Sequence, residues 1–299
     1  MVTSPDIPDW LRRQYPFSPK RHRTVSGAGL SYLDEGPRSD EAVLMLHGNP
    51  TWSYFYRHLV AAVSPRCRCI VPDHVGMGLS DKPADYSYTL ATRIDDVLGL
   101  LGTLGLRRIH LVVHDWGGAI GFGVAARILP QVGRLVVLNT AAFRSDRIPL
   151  RIALCRQRGL GTWLVRQLNG FAAPATRMAM HRRTLTDEER RGYLFPYDSW
   201  QSRVAVDAFV KDIPLRASDV SYAALHQVEK ALPGFRRHPV SLIWGGRDFC
   251  FNDHFLERWK QFLPEAQVTR LADVGHYVLD DGGAEAISLC QEALFPEHG

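Results

Sequence analysis

The sequence is poor in cysteine and has no long apolar run. Its five cysteines, at 67, 69, 155, 250 and 290, are odd in number and scattered, which excludes a disulfide framework. Cys67 and Cys69 lie two apart on one face of an expected strand. No second pair of Cys or His follows them at ligand spacing, so no metal site is expected. Thiols of this kind fit a reducing compartment. No apolar stretch approaches the ~18 residues that a membrane-spanning helix requires. The opening segment MVTSPDIPDWLRRQYPF is broken by Pro5, Pro8 and Pro16 and holds no apolar signal core. A cytoplasmic protein without a transmembrane segment is the expectation. Repeats and low-complexity tracts are absent. Strong charge is absent too: Lys+Arg is 36, Asp+Glu is 31 and the net is +5, so nucleic acid is not an expected partner. A hydrophobic fraction of 45% and a charged fraction of 22% exclude a disordered or collagen-like chain. The length of 299 residues allows one large α/β domain or two smaller ones.

What the chain does have is a strand–helix alternation from Leu30 onward. Residues 43–47 (VLMLH), 68–72 (RCIVP), 109–114 (IHLVVH), 135–139 (LVVLN), 240–245 (VSLIWG) and 268–271 read as strands. Residues 90–104 read as a helix capped by Thr89, and a small-residue helix runs from about 115 to Leu129, where Pro130 stops it. Runs that are apolar on both faces and separated by helices imply a parallel sheet covered on both sides. The alternation breaks once. From 143 to about 214 the chain is helical, with Gly and Pro breaks and no convincing buried strand. Residues 144–191 carry 11 Arg and 4 acids, a local net of +7 that leaves the rest of the chain at −2. This segment reads as an insertion over the C-terminal edge of the sheet. Its charge suits a solvated face, a docking surface for an acidic partner, or a surface for anionic substrate or membrane.

Chemistry concentrates at three strand ends. In Val112-Val113-His114-Asp115-Trp116-Gly117-Gly118 a strand turns into a helix with a polar residue at the apex. That is the pattern of a nucleophile elbow, although Val113 stands where a glycine is usual and the apex holds Asp rather than Ser. An Asp there also suits a helix N-cap. Gly246-Arg247-Asp248 follows one later strand, and Gly275-His276-Tyr277 follows the next. Nucleophile, acid and histidine then come in the order of an acyl-transfer triad, with Asp248 orienting His276 as base. His47-Gly48-Asn49-Pro50-Thr51-Trp52 follows the first of the apolar strands and supplies a second backbone N–H beside that of Trp116. Of 12 histidines, His276 stands out by position. His47 is expected to brace its own loop, and His114 to point away from the side that Asp115 faces. His226, His238 and His254 have no motif around them. Gly76 and Gly78 lack the third glycine of a dinucleotide fingerprint and are expected to shape a turn.

These residues resemble the α/β-hydrolase superfamily over nearly the whole chain. The resemblance implies a mostly parallel sheet with helices on both faces. It also implies a helical cap, inserted after the strand that follows the nucleophile strand. Core would be 1–143 and 214–299, and cap 144–213. HGNPTW with HDWGG resembles the haloalkane dehalogenases. By that resemblance Asp115 is nucleophile, His276 base and Asp248 its acid, and the Asn49 and Trp116 side chains hold the leaving group. One branch places its acid where Asn139 stands, and this chain does not follow it. VVLNTAAF, PYDSW, FVKDIPL and GHYVLDD resemble the β-lactone decarboxylases of bacterial long-chain olefin biosynthesis, which turn a cis-β-lactone into a cis-olefin and carbon dioxide. That resemblance implies a hydrophobic small-molecule substrate, no cofactor, no metal, and assembly with other olefin-pathway enzymes.

Aspartate suits this chemistry. It can displace a leaving group from saturated carbon and form an ester whose carbonyl belongs to the enzyme. A halide, an epoxide oxygen or the ring oxygen of a strained lactone can leave. Dehalogenation to halide and alcohol, epoxide hydrolysis and a binding protein with a vestigial site are the alternatives. Epoxide opening usually needs two cap tyrosines, for which Tyr193 and Tyr197 are the candidates. Trp52, Phe143, Trp163, Phe171, Met178, Met180 and Phe209 are candidate pocket liners, although ordinary packing draws on the same residue types.

Overall fold

The computed structural model describes residues 7–296, so Pro5 lies outside the described residues. Eight strands form one sheet in the order β1-β2-β4-β3-β5-β6-β7-β8. They are β1 Lys20–Arg23, β2 Gly29–Glu35, β3 Glu41–Leu46, β4 Arg68–Pro72, β5 Arg108–Asp115, β6 Val132–Thr140, β7 Val240–Gly245 and β8 Gln267–Leu271. The β1–β2 and β2–β4 pairings are antiparallel, and the rest are parallel. The helices are α1 Asp9–Arg12, α2 Arg57–Val63, α3 Leu90–Leu104, α4 Trp116–Arg127, α5 Leu150–Arg156, α6 Leu160–Arg166, α7 Ala172–Met178, α8 Asp187–Leu194, α9 Val204–Lys211, α10 Tyr222–Ala231, α11 Asp253–Phe262, α12 Val278–Asp281 and α13 Gly283–Leu294.

The period-two pleat sorts the apolar strand residues onto two cores. Leu44, Leu46, Leu111, Val113 and Val137 join a core with Ile94 and Val97 of α3 and Ile120 of α4. Val43, Met45, Val112, Val136 and Leu138 join the opposite core with Leu59 and Val60 of α2 and Cys290 of α13. This two-sided burial explains why β3, β5 and β6 read as continuous apolar runs.

The α3 helix begins and ends where the sequence predicts: the Thr89 side chain accepts from Thr92 N, and Gly105 closes it in the left-handed region. Two expectations need correction. The strands β1 and β2 lie outside the strands read from the sequence: the KRHR strand β1 sits on a polar, solvent-facing edge, whereas β2 is mostly buried between β1 and β4. At the other edge β8 is mostly exposed rather than covered on both sides. All five cysteines are free thiols. No helix among the described residues is long and apolar enough to cross a membrane.

Between β6 and β7 the chain forms α5–α10 and no strand. The helices α5 and α6 pack on each other and on α9, whereas α8 packs against the short 3-10 turn Ser53–Tyr56. Arg57 fixes this second contact: it pairs with Asp280 at 2.6 Å and reaches Glu189 at 3.5 Å.

Candidate active site

The C-terminal ends of β3, β5, β7 and β8 converge on one point. At the end of β5, Asp115 adopts φ 52° and ψ −127°. A non-glycine residue held there stores strain, and such strain is characteristic of functional turns. Close packing enforces it. A Cβ on Gly117 would overlap the Leu46 carbonyl, and one on Gly48 would overlap the Asp115 carboxylate. Thr140 of β6 hydrogen-bonds the Asp115 carbonyl through its hydroxyl.

The two carboxylate oxygens of Asp115 differ in surroundings. Oδ1 accepts from Asn49 N at 2.7 Å, and the Trp116 backbone N–H also donates to the carboxylate. Oδ2 faces His276 Nε2 at 3.7 Å. Burial raises the Asp115 pKa, and His276 and the two N–H donors pull back only part of that rise. His276 Nδ1 donates to Asp248 Oδ2 at 2.7 Å. Asp248 is itself held by Cys250 N, which donates to Oδ1 at 2.6 Å. Burial alone would lower the His276 pKa. The Asp248 carboxylate, with Asp115 behind it, outweighs burial and raises it. Asp115, His276 and Asp248 therefore form one chain of contacts, an arrangement chemically suited to a nucleophile, a base and the acid that orients it.

Supporting residues lie behind this chain. The expectation for His114 holds: its buried ring points away from the side Asp115 faces, and Nε2 donates to the His276 carbonyl at 2.9 Å. Its Nδ1 has no partner among the described residues. Burial keeps this ring neutral by lowering its pKa well below the ordinary range. His47 braces its own loop as expected: Nδ1 donates to Gly48 O at 2.8 Å, and Nε2 accepts from His74 N at 3.1 Å. Gly76 and Gly78, at φ 89° and 48°, shape the expected turn.

Asn139 has a role that the sequence reading missed. Its Oδ1 accepts from Gly245 N at 2.7 Å, and its Nδ2 donates to Gly245 O at 3.0 Å and Phe251 O at 3.4 Å. It thereby pins both ends of the loop that carries Asp248. The available signal was an amide at a strand end where a carboxylate was equally plausible.

A cavity of about 120 Å³ opens onto Asp115, Asn49 and Trp116. Asn49 Nδ2 donates to Val206 O at 3.1 Å, which leaves its second hydrogen free for the cavity. The Trp116 indole N–H has no protein acceptor among the described residues. The wall is mostly apolar: Phe143 and Phe171 line it as the sequence suggests, joined by Ile152, Leu225, Phe251 and Phe255. The other proposed liners lie elsewhere. Trp52 is buried beside Tyr54 and donates through Nε1 to Gly192 O at 3.2 Å. Trp163 is 48% exposed on the outer face of α6. Phe209 packs behind Trp116, edge-on at 5.4 Å. Met178 and Met180 also stand outside the cavity wall. Tyr193 hydrogen-bonds Asp280 and Tyr197 donates to Thr51 O at 3.3 Å, so neither faces the cavity as an epoxide acid would.

The comparisons with known proteins agree with this geometry. Residues 41–283 match the family model described as the alpha/beta hydrolase fold. A cis-3-alkyl-4-alkyloxetan-2-one decarboxylase of Xanthomonas campestris pv. campestris is 47% identical, over 89% of this chain and 92% of the relative. One of the same name from Shewanella oneidensis is 45% identical, over 91% and 87%. The crystal structure of the haloalkane dehalogenase DbeA from Bradyrhizobium elkani superposes with a TM-score of 0.82 at 27% identity, over 93% of this chain and 98% of that one. With the elbow, the sheet order and these relatives in hand, the chain belongs to the α/β-hydrolase family, in the branch it shares with those decarboxylases and the haloalkane dehalogenases.

Proposed function

We propose that the protein is a β-lactone decarboxylase, converting a cis-3,4-dialkyl β-lactone into a cis-olefin and carbon dioxide. The observation that carries this reading is the asymmetry of the Asp115 carboxylate beside an apolar cavity. Oδ1 accepts from Asn49 N, the Trp116 backbone N–H also donates to the carboxylate, and Oδ2, facing His276, is left to attack. The identity to the two oxetanone decarboxylases, well above that to the dehalogenase, supports the lactone over the halide.

Asp115 Oδ2 attacks the lactone β-carbon from the face opposite the ring oxygen. The ring C–O bond breaks, its electron pair becomes a carboxylate, and the carbon inverts. The Asn49 amide and the Trp116 indole N–H receive that carboxylate as it forms. The bond from the α-carbon to the carboxylate then breaks. Its electrons form the double bond, carbon dioxide leaves, and the aspartyl C–O pair returns to Asp115. Inversion followed by anti loss turns a cis ring into a cis-olefin. Attack at the lactone carbonyl, through a mixed anhydride, is the competing route. His276, oriented by Asp248, manages protons or water near Asp115 in either case.

Residues 144–213 serve as a cap over a core of 1–143 and 214–299, closing an apolar site against water. The sequence resemblance further supports a cytoplasmic enzyme working beside other olefin-pathway enzymes. The test offers a synthetic cis-dialkyl β-lactone and a 1-haloalkane in parallel. Cis-olefin from the lactone, with little halide release, is the expected result. Halide release without olefin would assign the site to dehalogenation instead.

A further inference from the structure

The large apolar side chains left in solvent are concentrated in one place. Nine stand exposed among the described residues, and five of them, Leu150, Leu154, Leu160, Trp163 and Leu168, fall within residues 150–168. The first four share the outer side of two adjacent helices, and Leu168 follows the second of them. On α5 the buried residues are Ile152 and Cys155, and on α6 they are Gly161 and Val165. Leu150 and Leu154, four apart, and Leu160 and Trp163, three apart, point away from those buried stripes. The helix α9 lies under both, so the apolar side is the solvent side. A patch of this kind marks an interaction surface.

Its charge setting is one-sided. Residues 147–186 contain eight arginines and no carboxylate. Arg156, Arg182 and Arg183 have acidic partners from elsewhere in the chain. Arg147, Arg158 and Arg177 have none among the described residues, and Arg151 meets only the Met178 sulfur. The patch also adjoins the site. The exposed Arg147 stands at the rim of the cavity, and Ile148, Pro149 and Ile152 at the start of α5 form part of its wall.

We propose that the outer face of α5 and α6 docks on an anionic lipid bilayer, with the cavity mouth turned toward it. Leucines and a tryptophan enter the headgroup–acyl boundary while the unpaired arginines meet lipid phosphates, the division of labour of an interfacial amphipathic surface. A second copy of the chain would bring its own unpaired arginines to the contact, and like charges disfavour that pairing. The docking stands on the surface itself. Its consequence, that an alkyl substrate passes from the bilayer into the cavity without crossing water, rests on the lactone reading.

The test uses sedimentation of the full chain with vesicles of pure phosphatidylcholine and of phosphatidylcholine mixed with phosphatidylglycerol. The expected result is binding to the mixed vesicles and weak binding to the neutral ones. The triple variant Leu154→Gln, Leu160→Gln, Trp163→Gln should bind the mixed vesicles at least about tenfold more weakly. The pair Arg151→Gln, Arg158→Gln should lose about fivefold per arginine, and with it the preference for the anionic lipid. Both variants should keep wild-type circular dichroism and wild-type turnover of a short, water-soluble substrate. Failure of the wild-type chain to sediment with mixed vesicles would overturn the proposal. So would variants that bind unchanged, or that change only the oligomeric state in gel filtration.

Discussion

At the scale of single residues, the proposed role of Asp115 as nucleophile rests on its burial and on the unequal surroundings of its two oxygens. Asp115→Asn keeps the shape and the N–H contacts but removes the nucleophilic oxygen. We expect turnover to fall by ~10⁴ or more with the circular dichroism spectrum unchanged. Residual turnover near the wild-type rate would mean another group attacks. The pH profile carries a second prediction. Burial raises the Asp115 pKa, so activity should be lost on acidification at a pH above the ordinary carboxylate range. The neighbouring carboxylates raise that of His276. A hydrolytic turnover needs the neutral imidazole and should therefore rise further as pH passes above its ordinary range. A purely decarboxylative turnover should show only the Asp115 limb. Comparing the lactone profile with that of any halide substrate separates the two. Asn139 acts through the loop it pins. Asn139→Leu should lower kcat by about 10–100-fold, as loss of a supporting shell does elsewhere, with little change in KM. In any hydrolytic turnover it should also move the His276 limb, because the loop that carries Asp248 would lose its anchors at Gly245 and Phe251.

Elements place these residues, and two of them make separate predictions. The loop after β3 passes so close to Asp115 that a Cβ on Gly48 would overlap its carboxylate. Gly48→Ala should cost about 1–3 kcal/mol of stability and much of the activity, read by thermal melts and initial rates together. Helix α8 begins with a capping box: the Thr186 side chain accepts from Glu189 N, and the Glu189 carboxylate accepts from Thr186 N. Arg183 and the buried Arg57 converge on that same carboxylate. Burial alone would raise the Glu189 pKa, but Arg183 and the Thr186 N–H lower it to about 2, against 4.5 for an unperturbed glutamate. A carboxylate depressed in the folded state stabilises the fold fully above its unfolded value and loses that effect as pH falls toward 2. The melting temperature should therefore drop between about pH 5 and pH 2 more steeply in the wild type than in Glu189→Gln. Equal slopes would mean that the Arg57–Arg183–Glu189 contact contributes nothing.

For the whole molecule, much of the plan was legible because the chemistry sits where strands end. Apolar runs such as IHLVVH and VSLIWG mark strands buried on both faces; Asp115 ends the first, Asp248 lies in the loop after the second, and His276 follows the edge strand β8. The edge strands were less legible, since β1 buries little and its charges hide the period. Cavity lining was hardest. Trp52, Trp163 and Phe209 share composition with Phe143 and Phe171, yet one set packs, faces solvent or backs Trp116 while the other lines the cavity. In short helices broken by Gly and Pro, residue type does not say which way a side chain points. The excess of arginine was visible from the sequence. That its unpaired members flank an exposed apolar face beside the cavity required the fold.

One measurement bears on the chemistry most directly: turnover of a cis-dialkyl β-lactone in oxygen-18 water, followed by product analysis and the mass of the peptide containing Asp115. Cis-olefin with equimolar carbon dioxide and an unlabelled Asp115 is the predicted result. A β-hydroxy acid product, with oxygen-18 in the Asp115 carboxylate, would contradict it and make the enzyme a hydrolase.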